Sequence, residues 1–411
     1  MKILEQALNK IKPIHKKQKD FIQILIPGLV GSAGKKTFRN IARYAEITEH
    51  TIARQMSKAF DFIQLNFELI KASMAENDEA IAAHDTSFVS KSGKFTFGMD
   101  WFFNGSAGKA EMGQEVDVIA VIKVGDKKEG FALSAQQTPA NPIPKAQRKK
   151  QEKTDRTRID FALDHVKKVV STLLALGIKY MAADAFYAKE KYVSGIVSSG
   201  LHLISKLRKD SQLKVPFVGI QKARGRKRIT DNRKVHADDF KDNIILEVEK
   251  EQIELSSCIV HSVAFDRLIK VVRVTKNNCI KKECSSLLFS TDTTLDVVKI
   301  FKFYVSRFQI EFVFRDAKGF TGLGDCQSRD AKRINYHFNA SLLALNVAKL
   351  QDNEKQKNKQ TNHAFSMTNW ARQYNVGIVI NRIISMLGLD LTCIKSHDDY
   401  EKLLAFGNVT H

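Results

Sequence analysis

Between residues 80 and 208 the apolar pattern alternates between strand and helix periods, and two of the strands end in aspartate. IAAHDTSFVS reads as a buried strand closing in polar residues. KFTFGMDWFFNG and QEVDVIAVIKVG follow as two more, separated by Gly and Asn turn signals. ALDHVKKVVSTLLALGI has helical amphipathicity and stops at Gly177. KYMAADAFYAKEKYVSGIVSSG gives a strand, a polar tip at Asp184 and a second helix, and LHLISKLRK gives a last short strand. The order β-β-β-α-β-α-β predicts an α/β core. In such sheets ligand and metal chemistry gathers at the carboxyl ends of strands, which makes Asp85 and Asp184 the first candidates for a site.

A third acidic residue stands out downstream. FYVSRFQIEFVFRDAKG carries Tyr304, Arg307, Glu311 and Lys318 at steps of 3, 4 and 7 residues. On one helix those steps keep all four side chains within a stripe about 60° wide and about 21 Å long. Phe303, Ile310, Phe314 and Ala317 form an apolar stripe beside it, with Phe308 and Phe312 on the other flank. A polar stripe between apolar flanks fits a half-buried site helix better than a solvated face carrying weak ion pairs. Two hard Mg²⁺ ions need several carboxylate oxygens converging on one point. Asp85, Asp184 and Glu311 can supply them, with Tyr304, Arg307 and Lys318 as donors to phosphate: a neutral phenol, a bidentate fork and a point charge.

Charge names the partner. Among 411 residues, 66 Lys and Arg face 45 Asp and Glu, a formal net charge of +21, spread through folded-looking sequence instead of a tail. A polyanion is implied, and nucleic acid over a membrane surface. No apolar run approaches the roughly 18 residues of a membrane span, and the start, MKILEQALNKIKPIHKK, lacks a secretory apolar stretch. Five scattered cysteines show neither zinc spacing nor a disulfide framework. A reduced, cytoplasmic setting is expected.

Outside the core, residues 1–78 look helical. TFRNIARYAEITEHTIARQMSKAF has helix-turn-helix rhythm, with Phe38, Ile41 and Ala42 facing inward, Ile47 at the turn, Thr48 as N-cap and Ile52 buried. That leaves Arg54, Gln55 and Lys58 for DNA; a plain helical hairpin fits the same pattern. The core's first part spans 79–211, including the basic stretch KAQRKKQEKTDRTR, which suits either a solvated linker or a backbone crossing. Residues 212–300 read as a β-rich insertion. Its KARGRKR segment offers Arg224, Arg226, Lys227 and Arg228 for backbone contact. The signature helix and the helix after it occupy 301–350. Residues 351–411 look helical, broken by the polar stretch QDNEKQKNKQTN.

Together these residues resemble the DDE transposases of bacterial insertion sequences, in the branch with the Tyr-x2-Arg-x3-Glu-x6-Lys signature. AAHDTSF is similar to the family's first-aspartate segment, MAADAFYAKEKYV to its second, and LLFSTDTTLD to the approach to the signature helix. Many relatives carry a second Asp directly before the first catalytic one, where this chain has His84. The resemblance covers about residues 80–350. It implies a ribonuclease H-like core with the β insertion before the catalytic glutamate, and Mg²⁺ or Mn²⁺, two ions, held by Asp85, Asp184 and Glu311. Strand hydrolysis at the transposon ends would be followed by attack of the freed 3′-OH on DNA, with Tyr304, Arg307 and Lys318 gripping phosphates. The implied partners are the terminal inverted repeats, target DNA and a second copy of the chain, in a nucleoid-associated setting. A hairpin route would also need an aromatic to stack an extruded base; Trp101, Phe102 or an aromatic of the insertion are candidates. Two other readings stay open: a metal-dependent nuclease that joins nothing, and a non-catalytic DNA-binding regulator.

Overall fold

The computed structural model describes residues 2–75, 77–93, 95–125, 127–143, 156–208, 210–248, 251–276, 285–361, 363–397 and 399–408. Most of the basic stretch at 145–158 lies outside the described residues.

Five helices open the chain: α1 (Lys2–Lys10), α2 (Lys16–Gly31), α3 (Phe38–Ala45), α4 (Glu49–Met56) and α5 (Phe62–Ser73). Thr37 caps α3 by accepting from the Asn40 N–H, and Thr48 caps α4 by accepting from the Thr51 N–H. Glu46, with φ at 55°, makes the left-handed turn between them. Ile41 and Ile52 are fully buried. Arg54 and Lys58 are exposed, but Gln55 is buried, so it is not available to DNA as the sequence suggested. Its side chain follows Ile52 and Met56 on to the packed side of α4.

A single sheet of twelve strands follows. Its first strands are β1 (Glu79–Ser90), β2 (Asp100–Asn104), β3 (Lys109–Val124) and β4 (Glu129–Gln137). Helix α6 (Arg158–Ala175), β5 (Tyr180–Ala183), α7 (Glu190–Ser198) and β6 (His202–Lys206) complete the α/β part. β3 runs antiparallel to β1 and β4, while β1, β5 and β6 are mutually parallel neighbours. β4 is a strand the sequence reading missed. FALSAQQ has no polar alternation because both its faces are covered. β2 is shorter than the segment read as a strand, and Phe102 within it is fully buried beneath the Arg158 guanidinium, so it cannot take an extruded base.

The strands after residue 212 are β7 (Leu213–Pro216), β8 (Thr230–Lys234), β9 (Lys241–Val248), β10 (Glu251–Ser262), β11 (Arg267–Lys276) and β12 (Ser285–Ser290). β12 pairs antiparallel with β6, so the insertion continues the core sheet: β6-β12-β11-β10-β7-β8, with β9 also on β10. Helices α8 (Val297–Ser306), α9 (Gln309–Asp316), α10 (Ala331–Lys359), α11 (Met367–Met386), α12 (Leu391–Lys395) and α13 (Tyr400–Leu404) close the chain. The polar stretch at 351–362, which reads as a break, is helical through Lys359. Its buried face carries Asp352, whose carboxylate accepts from Gln356 and from the Trp370 indole N–H.

α10 also covers the open edge of β4. Asn339 accepts from the Ala135 N–H and donates to the Ala135 carbonyl. One helical stretch on, Asn346 does the same for Ala132 and donates to Asn66 as well. Lys349 adds a bond to the Gly130 carbonyl. Side-chain amides thus replace the missing neighbouring strand and blunt the edge against pairing with another chain.

Candidate active site

The parallel register of β1 and β5 brings the two aspartates together. His84 stands opposite Ala183, so the next residues, Asp85 and Asp184, come side by side where β5 ends. β1 does not end at Asp85 as the sequence suggested: its pairing with β3 carries it on to Ser90. Asp184 caps a short 3-10 turn, its Oδ1 accepting from the Phe186 N–H at 2.9 Å. Ser205 of β6 ties down the Asp184 carbonyl at 2.8 Å. Helix α9 packs on β1, β3 and β4 and carries Glu311 to the same place. A cleft of about 770 Å³ is lined by Asp85, Asp184 and Glu311 together, with Lys318 and Arg315 on its wall.

Burial and like charge act on these carboxyls. Asp85 is pushed up to about 6, chiefly by loss of water; Arg307 pulls it down and the neighbouring Asp184 pushes it up. Glu311 moves upward for the same reasons. Asp184 thus adds to the upward push on both Asp85 and Glu311, and three carboxylates gathered in one cleft call for positive charge. They offer only hard oxygen donors, which fits Mg²⁺ or Mn²⁺.

Arg307 supplies part of the missing charge. Its Nη1 lies 3.1 Å from Asp85 Oδ2 and its Nη2 3.7 Å from Glu311 Oε1. Tyr304 stacks under the same guanidinium, 5.7 Å from ring centroid to Arg307 Cζ. Tyr304 and Arg307 therefore stand behind the carboxylates, while Lys318 faces the cleft with its pKa lowered by burial. The four signature residues do not share one uninterrupted α-helix as expected. α8 ends at Ser306, the chain tightens through Arg307 and Phe308 with bonds from Phe308 to Val305 and from Glu311 to Phe308, and Lys318 sits in a π-helical turn, Ala317–Thr321. Arg307, Phe308, Asp316 and Ala317 at the junctions keep right-handed helical dihedrals, so the chain passes through them without breaking direction. The apolar stripe holds: Phe303, Ile310, Phe314 and Ala317 are all buried.

The other candidate DNA contacts, Arg54, Lys58, Arg224, Arg226, Lys227 and Arg228, do not line this cleft. Several residues that do line it were not singled out from sequence. Glu115 and Asp117 come from β3; they are two apart and so share a face, the one signal QEVDV offered. Glu115 is held 3.7 Å from Arg158, and burial raises its pKa. Phe103 and Phe186 are exposed aromatics of the cleft, and Lys189 lies 3.9 Å over the Phe186 ring.

Behind the aspartates runs a buried polar chain. Asp117 accepts from His84 Nε2 at 2.5 Å and bonds to His165 Nδ1 at 3.1 Å. His84 Nδ1 meets the Tyr192 hydroxyl at 2.6 Å, and His165 Nε2 the Ser134 hydroxyl at 2.8 Å. Burial alone would raise the Asp117 pKa, but the two imidazoles outweigh it and hold the carboxylate well below its usual range. His84, Asp117 and His165 come within ligand distance of one another. Each of their ring nitrogens is nevertheless satisfied by hydroxyl or carboxylate, the pattern of a hydrogen-bond chain that braces the His84–Asp85 backbone.

No curated protein is matched by the chain. The family model for the DDE superfamily endonuclease matches residues 4–254, a stretch that holds Asp85 and Asp184 and stops before Glu311. Nucleases of this family cut DNA and use divalent metals. With more than half of its length matched, and two aspartates side by side where β5 ends, facing an acidic cleft, the chain belongs to the DDE superfamily endonucleases.

Proposed function

We propose that this endonuclease is a DNA transposase, which hydrolyses one strand at each end of a mobile element and then joins the freed 3′-OH to other DNA. The observation that carries the reading is the meeting of Asp85, Asp184 and Glu311 in one cleft whose wall bears Lys318 and Arg315. The strand order β4-β3-β1-β5-β6, three antiparallel strands followed by two parallel ones, supports a ribonuclease H-like core.

Asp85, Asp184 and Glu311 would hold the divalent ions, two by the resemblance. Such ions supply Lewis acidity toward a phosphate oxygen and charge for the in-line transition state. The chain's own groups do the rest. Thr86 N–H and Arg307 fix both oxygens of Asp85. The Phe186 N–H fixes one oxygen of Asp184. Lys318 and Arg315 reach a phosphate entering the cleft, and Tyr304 backs Arg307, whose fork holds Asp85 and Glu311 in place. Phe103 and Phe186 offer stacking faces for bases near the cut. Residues 1–78, with Arg54 and Lys58 exposed, would read the element's end, and two copies would hold the paired ends.

The test is incubation with linear duplexes ending in the element's own terminal repeats, plus Mg²⁺ and a plasmid target. Joined products support transposition. Nicked ends without joined products in any target would replace it with a nuclease that only hydrolyses.

A further inference from the structure

The ribbon formed by β7 and β8 ends the sheet, and its connection carries a cationic tip built on a fixed base. Pairing continues past the strands through the Phe217 N–H to the Ile229 carbonyl at 3.0 Å. Gln221 then clamps the opposite chain. Its amide donates to the Arg228 carbonyl at 2.7 Å, and its oxygen accepts from the Arg228 N–H at 2.9 Å. The Arg228 guanidinium stacks 4.8 Å over Phe217 and lies 3.5 Å from Asp231. Arg228 is thus part of the base of the loop, and six residues, 222–227, remain as the tip.

Lys222, Arg224, Arg226 and Lys227 in that tip are exposed, and among the described residues none of them has an acidic partner. The middle of the tip is Arg224-Gly225-Arg226. Gly225 has φ at 97°, a backbone conformation that a side chain would strain, and nothing stands within 4 Å of where its Cβ would be. Two guanidiniums therefore flank a bare stretch of backbone at the most outlying point of the ribbon. Val218 and Ile220, 90% and 98% exposed, stand just below it.

We propose that this tip enters the minor groove of A·T-rich duplex DNA, with Arg224 and Arg226 reading its floor. A groove about 6 Å wide admits one extended chain and excludes a two-stranded ribbon, so only the tip fits. A·T tracts narrow that groove and concentrate negative potential, which draws arginine in. Adenine N3 and thymine O2 accept from the guanidiniums, whereas the guanine amino group stands up from the floor and blocks approach. Gly225 lets the backbone come close where any side chain would hold it off. Val218 and Ile220 would lie against the sugar walls at the groove mouth. Phosphate contact alone would ask for cations without order; a single glycine between two arginines at a clamped apex is a shape that fits a groove. The inference rests on DNA being the substrate, and it is independent of which residues cut.

The test measures binding of the full chain, in EDTA, to labelled 20-base-pair duplexes of three kinds: A·T-rich, G·C-rich, and the G·C duplex with inosine in place of guanine. Inosine removes the minor-groove amino group and leaves the major-groove edge as it was. The expected result is about tenfold tighter binding to the A·T and inosine duplexes than to G·C, with netropsin abolishing the difference. The double variant Arg224→Ala/Arg226→Ala should lose the difference, and Gly225→Val should reduce it; both lie on an exposed loop, and an unchanged Tm verifies their folding. Equal binding to inosine and guanine duplexes, or an A·T preference that survives the double variant, overturns the proposal. Neither result bears on cleavage. Conversely, Asp184→Asn should leave the groove preference intact, so a failure of the catalytic reading is seen separately, as cutting by that variant.

Discussion

Arg307 places its Nη1 3.1 Å from Oδ2 of Asp85, across 222 residues of sequence. The pair couples the helical segment that carries the glutamate to the strand that carries the first aspartate, and the same guanidinium reaches Glu311 at 3.7 Å. In this geometry Arg307 partly neutralises the carboxylates it touches and opposes the upward push of burial on Asp85.

Removing that cation should disable the site through Asp85. Arg307→Ala is expected to lower Mg²⁺-dependent nicking about a hundredfold or more. It should also move the acid limb of the pH profile upward, because the carboxyl loses the charge that pulls its pKa down. Nicking rates from pH 5 to 9 at a low, fixed Mg²⁺ concentration read both effects. An unchanged acid limb would separate Arg307 from Asp85.

Asp85 links stability to pH in a stated direction. Its folded pKa of about 6 lies above the ordinary aspartate value of 3.8, so the ionised form opposes folding. The penalty is absent below about pH 4 and grows as pH rises to about 6, where it reaches on the order of 2–3 kcal/mol. Through this group, metal-free protein should have a lower Tm at pH 7.5 than at pH 4.5. Asp85→Asn keeps one acceptor oxygen, for the Thr86 N–H, and turns an amide NH2 toward Arg307; by removing the buried charge it should abolish this pH dependence and the Tm increase caused by Mg²⁺. A variant with the wild-type Mg²⁺ shift would show that Asp85 holds no ion.

Asp184→Asn and Glu311→Gln should each reduce cleavage by at least about a thousandfold without weakening duplex binding in EDTA. Gel mobility and nicking assays on the same preparations decide this. Normal cutting by either variant would mean that the cleft's other carboxylates, Glu115 above all, carry the chemistry.

Lys318 faces the cleft and is partly desolvated there. Lys318→Ala should weaken binding of end DNA and lower the slope of log affinity against log salt by about one. An unaltered slope would remove Lys318 from the phosphate contacts.

The helix that seals β4 should be sensitive to shape-conserving change. Asn346→Leu removes the partner of the Ala132 N–H and carbonyl and of the Asn66 side-chain oxygen. A loss of about 2–4 kcal/mol is expected, read as a lower urea midpoint. A neutral outcome would mean that β4 holds its edge without the amide.

Asp184 at the end of β5, a glutamate spaced from Arg and Lys, and a basic surplus were legible in the residues themselves, because local period and composition carry them; Asp85, read as a strand end, instead lies within β1, whose pairing with β3 carries it on to Ser90. Thr48 as a cap and the apolar stripe beside Glu311 were legible for the same reason: both depend on neighbours within a turn or two. Other features depend on partners far along the chain. Sequence could not show that Arg307 would close on Asp85, that Glu115 and Asp117 would come to the cleft from β3, or that Gln55 would turn inward. FALSAQQ gave no strand period because α10 covers it, and the polar stretch after residue 350 hid a helix whose Asp352 is paired inside. Even the β insertion is decided by tertiary pairing, since only the β6–β12 contact makes it a continuation of the core sheet. Sequence by itself determined which groups could do the chemistry. The tertiary structure decided which of them share a cleft, because desolvation and ion pairing act through distances that only the packed sheet sets.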